Sequence, residues 1–342
     1  MVTSRLFRLS VALLLALPAL LLTSPASACA CGGIASNDAT ARVHSETSIL
    51  SKRGDRETID MRLSMTSVAP DAALLVPTPA PATVSAGDAA TFTRYDEISA
   101  PRVETRTHWW IPSSDTDGVT AGAAPPGGAS TGAPTVVQRV TLGPLEAAVL
   151  AGGDVDGIRK WLSDNGYRLQ PKLVRALAPY VGQHWSFVAL KLASPTPLSG
   201  PLDPIRLTFD SSSLVYPMRM SAVADAPQYV TTYVVAEHRQ QRIDADAAGQ
   251  SVTTVYAGRI DDAYLTKITT AVARPDTITT DFEFARAPTD DPVAQVTYAD
   301  EDVRIFGVMA GPFLTAVGIV LAVLATTAVL LVVTRRRTVR RR

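Results

Sequence analysis

Four groups of residues in this sequence have types and spacings suited to chemistry. Cys29 and Cys31 are its only cysteines, one alanine apart in 342 residues. A pair so close suits a small, strained, redox-labile disulfide, a lipid on Cys29, or a metal. Two thiolates are not a complete metal site. The lipid-attachment pattern usually has Leu where Ala26 stands. An oxidised or inert N-terminal pair is the leading expectation, with lipidation and a working redox role kept open. Gly128-Ala129-Ser130-Thr131-Gly132 has the spacing of a hydrolase nucleophile. That chemistry needs the serine on a strained turn between a strand and a helix, and here only a Gly/Pro-rich stretch surrounds it.

Histidine and indole form the third group. His44, His108, His184 and His238 show no metal-ligand spacing among themselves. His108-Trp109-Trp110 and His184-Trp185 suit a shallow site that stacks a sugar or peptide, with histidine as polar partner. The competing reading is core packing from alternate faces of strands. The fourth group is ionic. Asp115-Thr116-Asp117-Gly118 imitates the start of a calcium loop, but its twelfth position is Pro126 instead of Glu. Asp154-Val155-Asp156-Gly157 reads as a helix cap. Arg102, Arg106, Arg206 and Arg219 lie in strand-like segments and would suit an anion if the fold converged them. None of these amounts to a catalytic, cofactor-binding or metal motif, and no cofactor is expected.

The elements around these residues predict a membrane-anchored ectodomain. Arg5 and Arg8 precede the apolar residues 9–22, and Ala26-Ser27-Ala28 follows, the layout of a signal peptide (residues 1–28) cleaved between Ala28 and Cys29. No charge occurs between Arg304 and Arg335. Residues 312–333 suffice to span a bilayer, and Pro312 suits a first helical turn. Six arginines end the chain in a tail of residues 334–342, which keeps that end cytoplasmic beside anionic lipid head groups. With two basic residues in the leader and six in the tail, 24 remain outside against 32 acidic residues, a net charge of −8. That excludes a basic nucleic-acid surface.

Residues 29–285 read as one α+β ectodomain, mainly antiparallel, with a central helical pair, and residues 286–304 as a stalk. A hairpin is expected over 47–65 and further strands at 72–76, 103–111 and 136–150. A Gly/Pro-rich loop covers 112–134. Apolar stripes predict helices starting at Asp154 and Pro171 and ending at Gly166 and Gly182. Strands follow at 186–192, 205–209, 214–220, 229–236, 252–257 and 277–284. Residues 88–99 and 263–273 read as helices.

Several stretches resemble domain-of-unknown-function family 2330. They are Ala28-Cys29-Ala30-Cys31-Gly32-Gly33, Leu74-Leu75-Val76-Pro77-Thr78-Pro79, Pro101-Arg102-Val103-Glu104-Thr105 and His108-Trp109-Trp110, then Trp161-Leu162, Asn165-Gly166-Tyr167, residues 202–209 and Val215-Tyr216-Pro217-Met218-Arg219. The resemblance implies an exported, membrane-anchored bacterial protein, mainly actinobacterial, and carries no activity. The expected function is a binding or interaction module of the cell envelope. Its expected partners are the lipid bilayer and an envelope protein or glycan, and no nucleic acid. The alternatives are an envelope hydrolase with an unfamiliar site, or a thiol-redox protein using Cys29 and Cys31. Intact-mass analysis of the protein from its native membrane should show a chain starting at Cys29 and lighter by the two hydrogens of a disulfide. A diacylglycerol-sized adduct would instead mean lipidation, with tethers at both ends.

Overall fold

The computed structural model describes residues 33–35, 42–67, 71–110, 134–142, 145–167, 171–193 and 198–339. The segment read as a signal peptide, Cys29 and Cys31, Ser130 and the Asp115 motif lie outside them. The chain divides into two compact units, Met1–Ile98 with Ala121–Val293, and Ser99–Thr120 with Ala294–Arg342.

In the first unit, period-two patterning builds a long hairpin. Glu57, Ile59, Met61 and Leu63 fall on one face of β3 (Arg56–Ser67), and all are buried. β2 (Arg42–Arg53) precedes it through a tight turn in which Gly54 takes φ +58°, a value glycine adopts freely. This hairpin is the middle of a nine-stranded sheet. Beyond β2 lie β13 (Gln228–Ala236), β16 (Ala263–Val272), β15 (Ser251–Ile260) and the short β18 (Val293–Ala294). Beyond β3 lie β11 (Ile205–Asp210) and β5 (Thr83–Ala86), and β10 (Leu198–Pro201) also pairs with β3. The β2–β13 ladder is parallel, while β2–β3, β3–β11, β13–β16 and β15–β16 are antiparallel. A five-stranded antiparallel sheet runs β1 (Gly33–Ala35), β4 (Asp71–Thr78), β9 (Ser186–Ala193), β8 (Leu145–Ala151), β7 (Thr135–Leu142). A small sheet orders β12 (Leu214–Tyr216), β17 (Phe282–Arg286) and β14 (Gln240–Arg242).

The two large sheets pack face to face. Leu50, Ile59, Met61, Leu207 and Val234 of the nine-stranded sheet share one core with Leu74, Val76, Val149, Val188 and Leu190 of the five-stranded sheet. The opposite face of the smaller sheet, with Leu75, Leu150 and Phe187, is covered by α2 (Val155–Asp164) and α3 (Pro171–Gly182) through Ile158, Leu162, Leu173, Leu177 and Tyr180. On the far face of the larger sheet, Phe92 and Tyr95 of α1 (Ala89–Ile98) cover Ile49, Tyr233 and Leu265. The first unit is therefore a four-layer stack. β4 is buried on both faces, which explains its apolar run Ala73-Leu74-Leu75-Val76. Asp154 caps α2 by accepting the Gly157 N–H at 2.8 Å.

Residues 263–273 do not form the expected helix. They are β16, with Tyr264, Thr266, Ile268, Thr270 and Val272 buried in alternation. β-branched residues fill this segment, and ladders on both sides satisfy its backbone, so tertiary pairing overrides the helical reading.

In the second unit, β6 (Arg102–His108) pairs in parallel with β19 (Val296–Asp302), inside the segment read as a stalk. A small hairpin, β20 (Arg304–Ile305) and β21 (Val308–Met309), leads into α4 (Ala310–Val339). Residues Ala310–Val333 of α4 are long and apolar enough to cross a membrane, with mean hydropathy 2.8, and beyond Ala310 and Gly311 none of that stretch is buried in the protein.

Candidate functional site

The first unit holds a cleft of about 410 Å³. Its walls come from the end of α3 (Gln183, Trp185), the β11–β12 connection (Ser211, Ser212, Ser213) and the segment entering β17 (Thr279, Thr280, Asp281, Glu283). Arg219 and Asp244 also line it.

The end of α3 aims the aromatic wall. Trp185 N–H donates to the Tyr180 carbonyl and His184 N–H to that of Val181, both at 3.0 Å. His184 has φ 59°. These are the two bonds of a Schellman cap, with histidine where glycine usually stands. The helix ends at Gly182 as expected, and the left-handed residue of its cap is His184. This cap turns Trp185 against Tyr180, with ring centroids 5.0 Å apart.

Asp281 organises the cleft floor. Its Oδ1 accepts the Tyr180 hydroxyl at 2.5 Å, the Met218 N–H at 2.7 Å and the Arg219 N–H at 3.0 Å. Its Oδ2 accepts Arg219 Nε at 2.7 Å. The Arg219 guanidinium also donates to Gln183 Oε1 at 2.7 Å and lies 4.3 Å above the Tyr180 ring. Burial first, and then the Asp281 carboxylate, push the Tyr180 hydroxyl well above its usual 10. Asp244 is equally committed. It takes Arg242 in a bidentate pair at 2.9 and 2.5 Å, with the Glu283 N–H at 3.3 Å. Among the described residues Glu283 makes no ion pair, so it is the cleft's uncompensated charge.

Glu57 sits behind the wall, fully buried, and accepts the Val215 N–H at 3.0 Å. Ser211 next to it donates to the Ser213 carbonyl at 2.6 Å. Burial raises the Glu57 carboxyl from 4.5 to about 8, against smaller opposing effects of the Val215 N–H, Ser211 and Lys52.

Of the residues singled out from sequence, Trp185 and Arg219 reach this cleft, and His184 shapes it from an exposed cap. His108, Trp109 and Trp110 belong to the second unit, where His108 Nε2 lies 2.7 Å from Asp300. His238 pairs with Asp290 at 2.7 Å. Arg102 and Arg106 belong to the second unit, and Arg206 and Arg219 of the first take different partners. Arg206 forms a bidentate pair with Asp60 at 2.9 and 2.8 Å, Arg219 holds Asp281, and Arg106 lies 3.8 Å above Tyr298. Among the described residues no group of three His, Cys, Asp or Glu could hold a metal ion. Sequence reasoning missed Asp281, Asp244, Glu283 and Glu57. Glu57 left a signal, because it stands in phase with Ile59, Met61 and Leu63 on the inward face of β3.

With this geometry established, the comparisons define a class without an activity: a bacterial domain of conserved sequence. Residues 25–285 match the family described as "Uncharacterized protein conserved in bacteria (DUF2330)", and the chain belongs to it. No curated protein matches. Among solved structures, the chain is similar to baculovirus P35, at 8% identity over 76% of this chain and 98% of that one, with a TM-score of 0.32, and nothing further rests on that likeness.

Two outcomes test the site. Replacing Asp281 by alanine leaves Arg219 and Tyr180 without their shared partner. It should cost about 3–5 kcal/mol in urea unfolding of the full chain in detergent, whereas a loss below about 1 kcal/mol would deny Asp281 its organising role. Glu57 gives the second. Its folded value lies above its unfolded one, so the folded chain keeps a proton that the unfolded chain releases between pH 4.5 and about 8. Its contribution is fully present below pH 4.5 and is lost as pH rises through about 8, by roughly 5 kcal/mol at most. Glu57→Gln should remove that slope, so the variant gains on the parent across this window, and parallel stability curves would contradict the assignment.

Proposed function

We propose that this protein is a membrane-anchored, extracytoplasmic binding module of the bacterial envelope, and that its cleft takes a neutral polar ring such as a sugar of an envelope glycan. Trp185 beside the hydrogen-bonding groups of Gln183, Ser212 and Ser213 carries this reading. An indole face stacks on the apolar face of a sugar, while hydroxyls and amides meet its rim. About 410 Å³ lies within the usual range for small ligands, about 300–1,000 Å³.

Two of the three carboxylates that line the cleft, Asp281 and Asp244, favour binding over hydrolysis. Asp281 and Asp244 already accept hydrogen bonds at both oxygens, so neither is a free base. Glu57 carries a proton at neutral pH but has no exposed surface from which to deliver it. The apolar Ala310–Val333 helix supports the anchor, and the six terminal arginines support a cytoplasmic C-terminus beside anionic head groups. The leader layout supports export, with the ectodomain outside.

Soluble cell-wall glycan fragments titrated into the full chain in detergent should bind saturably. Trp185→Ala should weaken that binding at least about tenfold without changing the far-ultraviolet circular dichroism. Equal binding by both proteins would move the ligand elsewhere, and no saturable binding would remove the glycan reading.

A further inference from the structure

The second unit carries an aromatic cluster that the cleft does not use. Trp109 and Trp110 leave the end of β6 and are 47% and 58% exposed. Both pack at the first turn of α4. Gly311 N–H donates to the Trp109 carbonyl at 2.8 Å. A Cβ on Gly311 would lie 2.4 Å from that carbonyl oxygen and 2.6 Å from the Trp110 ring, so only glycine admits the indole here. Just before α4 comes the β20–β21 turn, in which Phe306 and Gly307 take φ 51° and 81°, a pairing typical of a type I′ turn. Phe306 is 91% exposed, and its ring meets Phe313 of α4 edge-on at 5.7 Å. The turn adopts an unfavourable left-handed conformation that holds a phenylalanine out in the open.

The order of chemistry along this unit is graded. Arg106, Asp300, Glu301 and Asp302 lie on the ribbon, the aromatic residues come next, and the 24-residue apolar stretch follows. We propose that Trp109, Trp110 and Phe306 form an interfacial anchor, seated at the boundary between lipid head groups and acyl chains where α4 enters the bilayer. The occupant of this surface is lipid. Tryptophan concentrates at that depth because its ring is apolar while its N–H reaches phosphate and carbonyl oxygens. The surface is continuous with the lipid-facing helix and ends where charge begins, which a protein-docking patch would not require. The 24-residue stretch is about 36 Å long, more than the roughly 30 Å of hydrocarbon. Its length alone leaves the depth of insertion open, and the aromatic cluster fixes it. Gly311 is the positioning residue, since the Trp110 ring reaches the helix only over its missing side chain.

This inference rests on α4 crossing a membrane, and one experiment separates the two. The full chain and a Trp109→Phe/Trp110→Phe variant are reconstituted into phosphatidylcholine–phosphatidylglycerol vesicles with lipid brominated near the head-group end of its acyl chains. Flotation reports insertion, and tryptophan fluorescence reports depth. The parent should float and be quenched by the brominated lipid at least about twofold more than the variant, whose remaining indoles are Trp161 and Trp185. Gly311→Val should float and lose much of that difference. Failure of the parent to float would overturn the membrane span. Flotation with equal quenching in parent and variant would overturn the interfacial anchor alone. The anchor would fall in the same way if the pair were shielded from aqueous iodide but untouched by brominated lipid, which would mean a protein partner or a second copy.

Discussion

The cleft depends on one buried carboxylate. Asp281 gathers a side chain from α3, two backbone N–H groups near Met218 and the guanidinium of Arg219. A carboxylate so surrounded is stable only because its donors replace the water it has lost. The donors are equally dependent, since the Tyr180 hydroxyl and the Arg219 guanidinium would otherwise face each other across a buried gap. Tyr180 is also the residue whose carbonyl receives the Trp185 N–H. The position of the aromatic wall and the saturation of the charged floor are therefore consequences of the same contact.

That saturation limits the acid–base work open to Asp281 and Asp244. Acid–base work needs a group that can gain or lose a proton within reach of a ligand. Here Asp281 and Asp244 are held as acceptors, and the carboxyl that keeps its proton to about pH 8 is sealed behind Val215 and Ser211. A binding site has the opposite need. Preorganised, rigid hydrogen-bonding walls lose little freedom when a ligand arrives, and this contrast is what supports the binding proposal.

The fold was largely legible in the sequence, and the site was not. The β2–β3 hairpin, α2, α3 and the long apolar helix each announce themselves through local periodicity and capping residues such as Asp154. β16 misled because Tyr264, Leu265, Ile268 and Val272 fit a helical stripe as well as a strand, and only the neighbours β13 and β15 decide between them. Asp281, Asp244 and Glu57 come from three separate stretches of chain, and nothing local marks their meeting. Arg206 and Arg219 look alike in sequence yet pair with different aspartates, Asp60 in β3 and Asp281 just before β17. Trp185 and Trp109 also look alike beside their histidines, but one follows a helix at a cleft and the other lies at the foot of an apolar helix.

The second unit obeys a different constraint. A two-stranded ribbon exposed on both faces is marginal by itself, and nearly all of β6 and β19 is exposed. What steadies it is the way it is tied to α4. Val303 N–H reaches the His108 carbonyl, Ala310 N–H the Val303 carbonyl, and Gly311 N–H the Trp109 carbonyl. Two of these donors stand at the head of α4, where backbone N–H groups have no partner within the helix. The ribbon therefore caps the helix while the helix fastens the ribbon. Any force that sets the depth of α4 also sets the order of the ribbon, so an anchoring of Trp109 and Trp110 in lipid would stiffen a segment that has little core of its own.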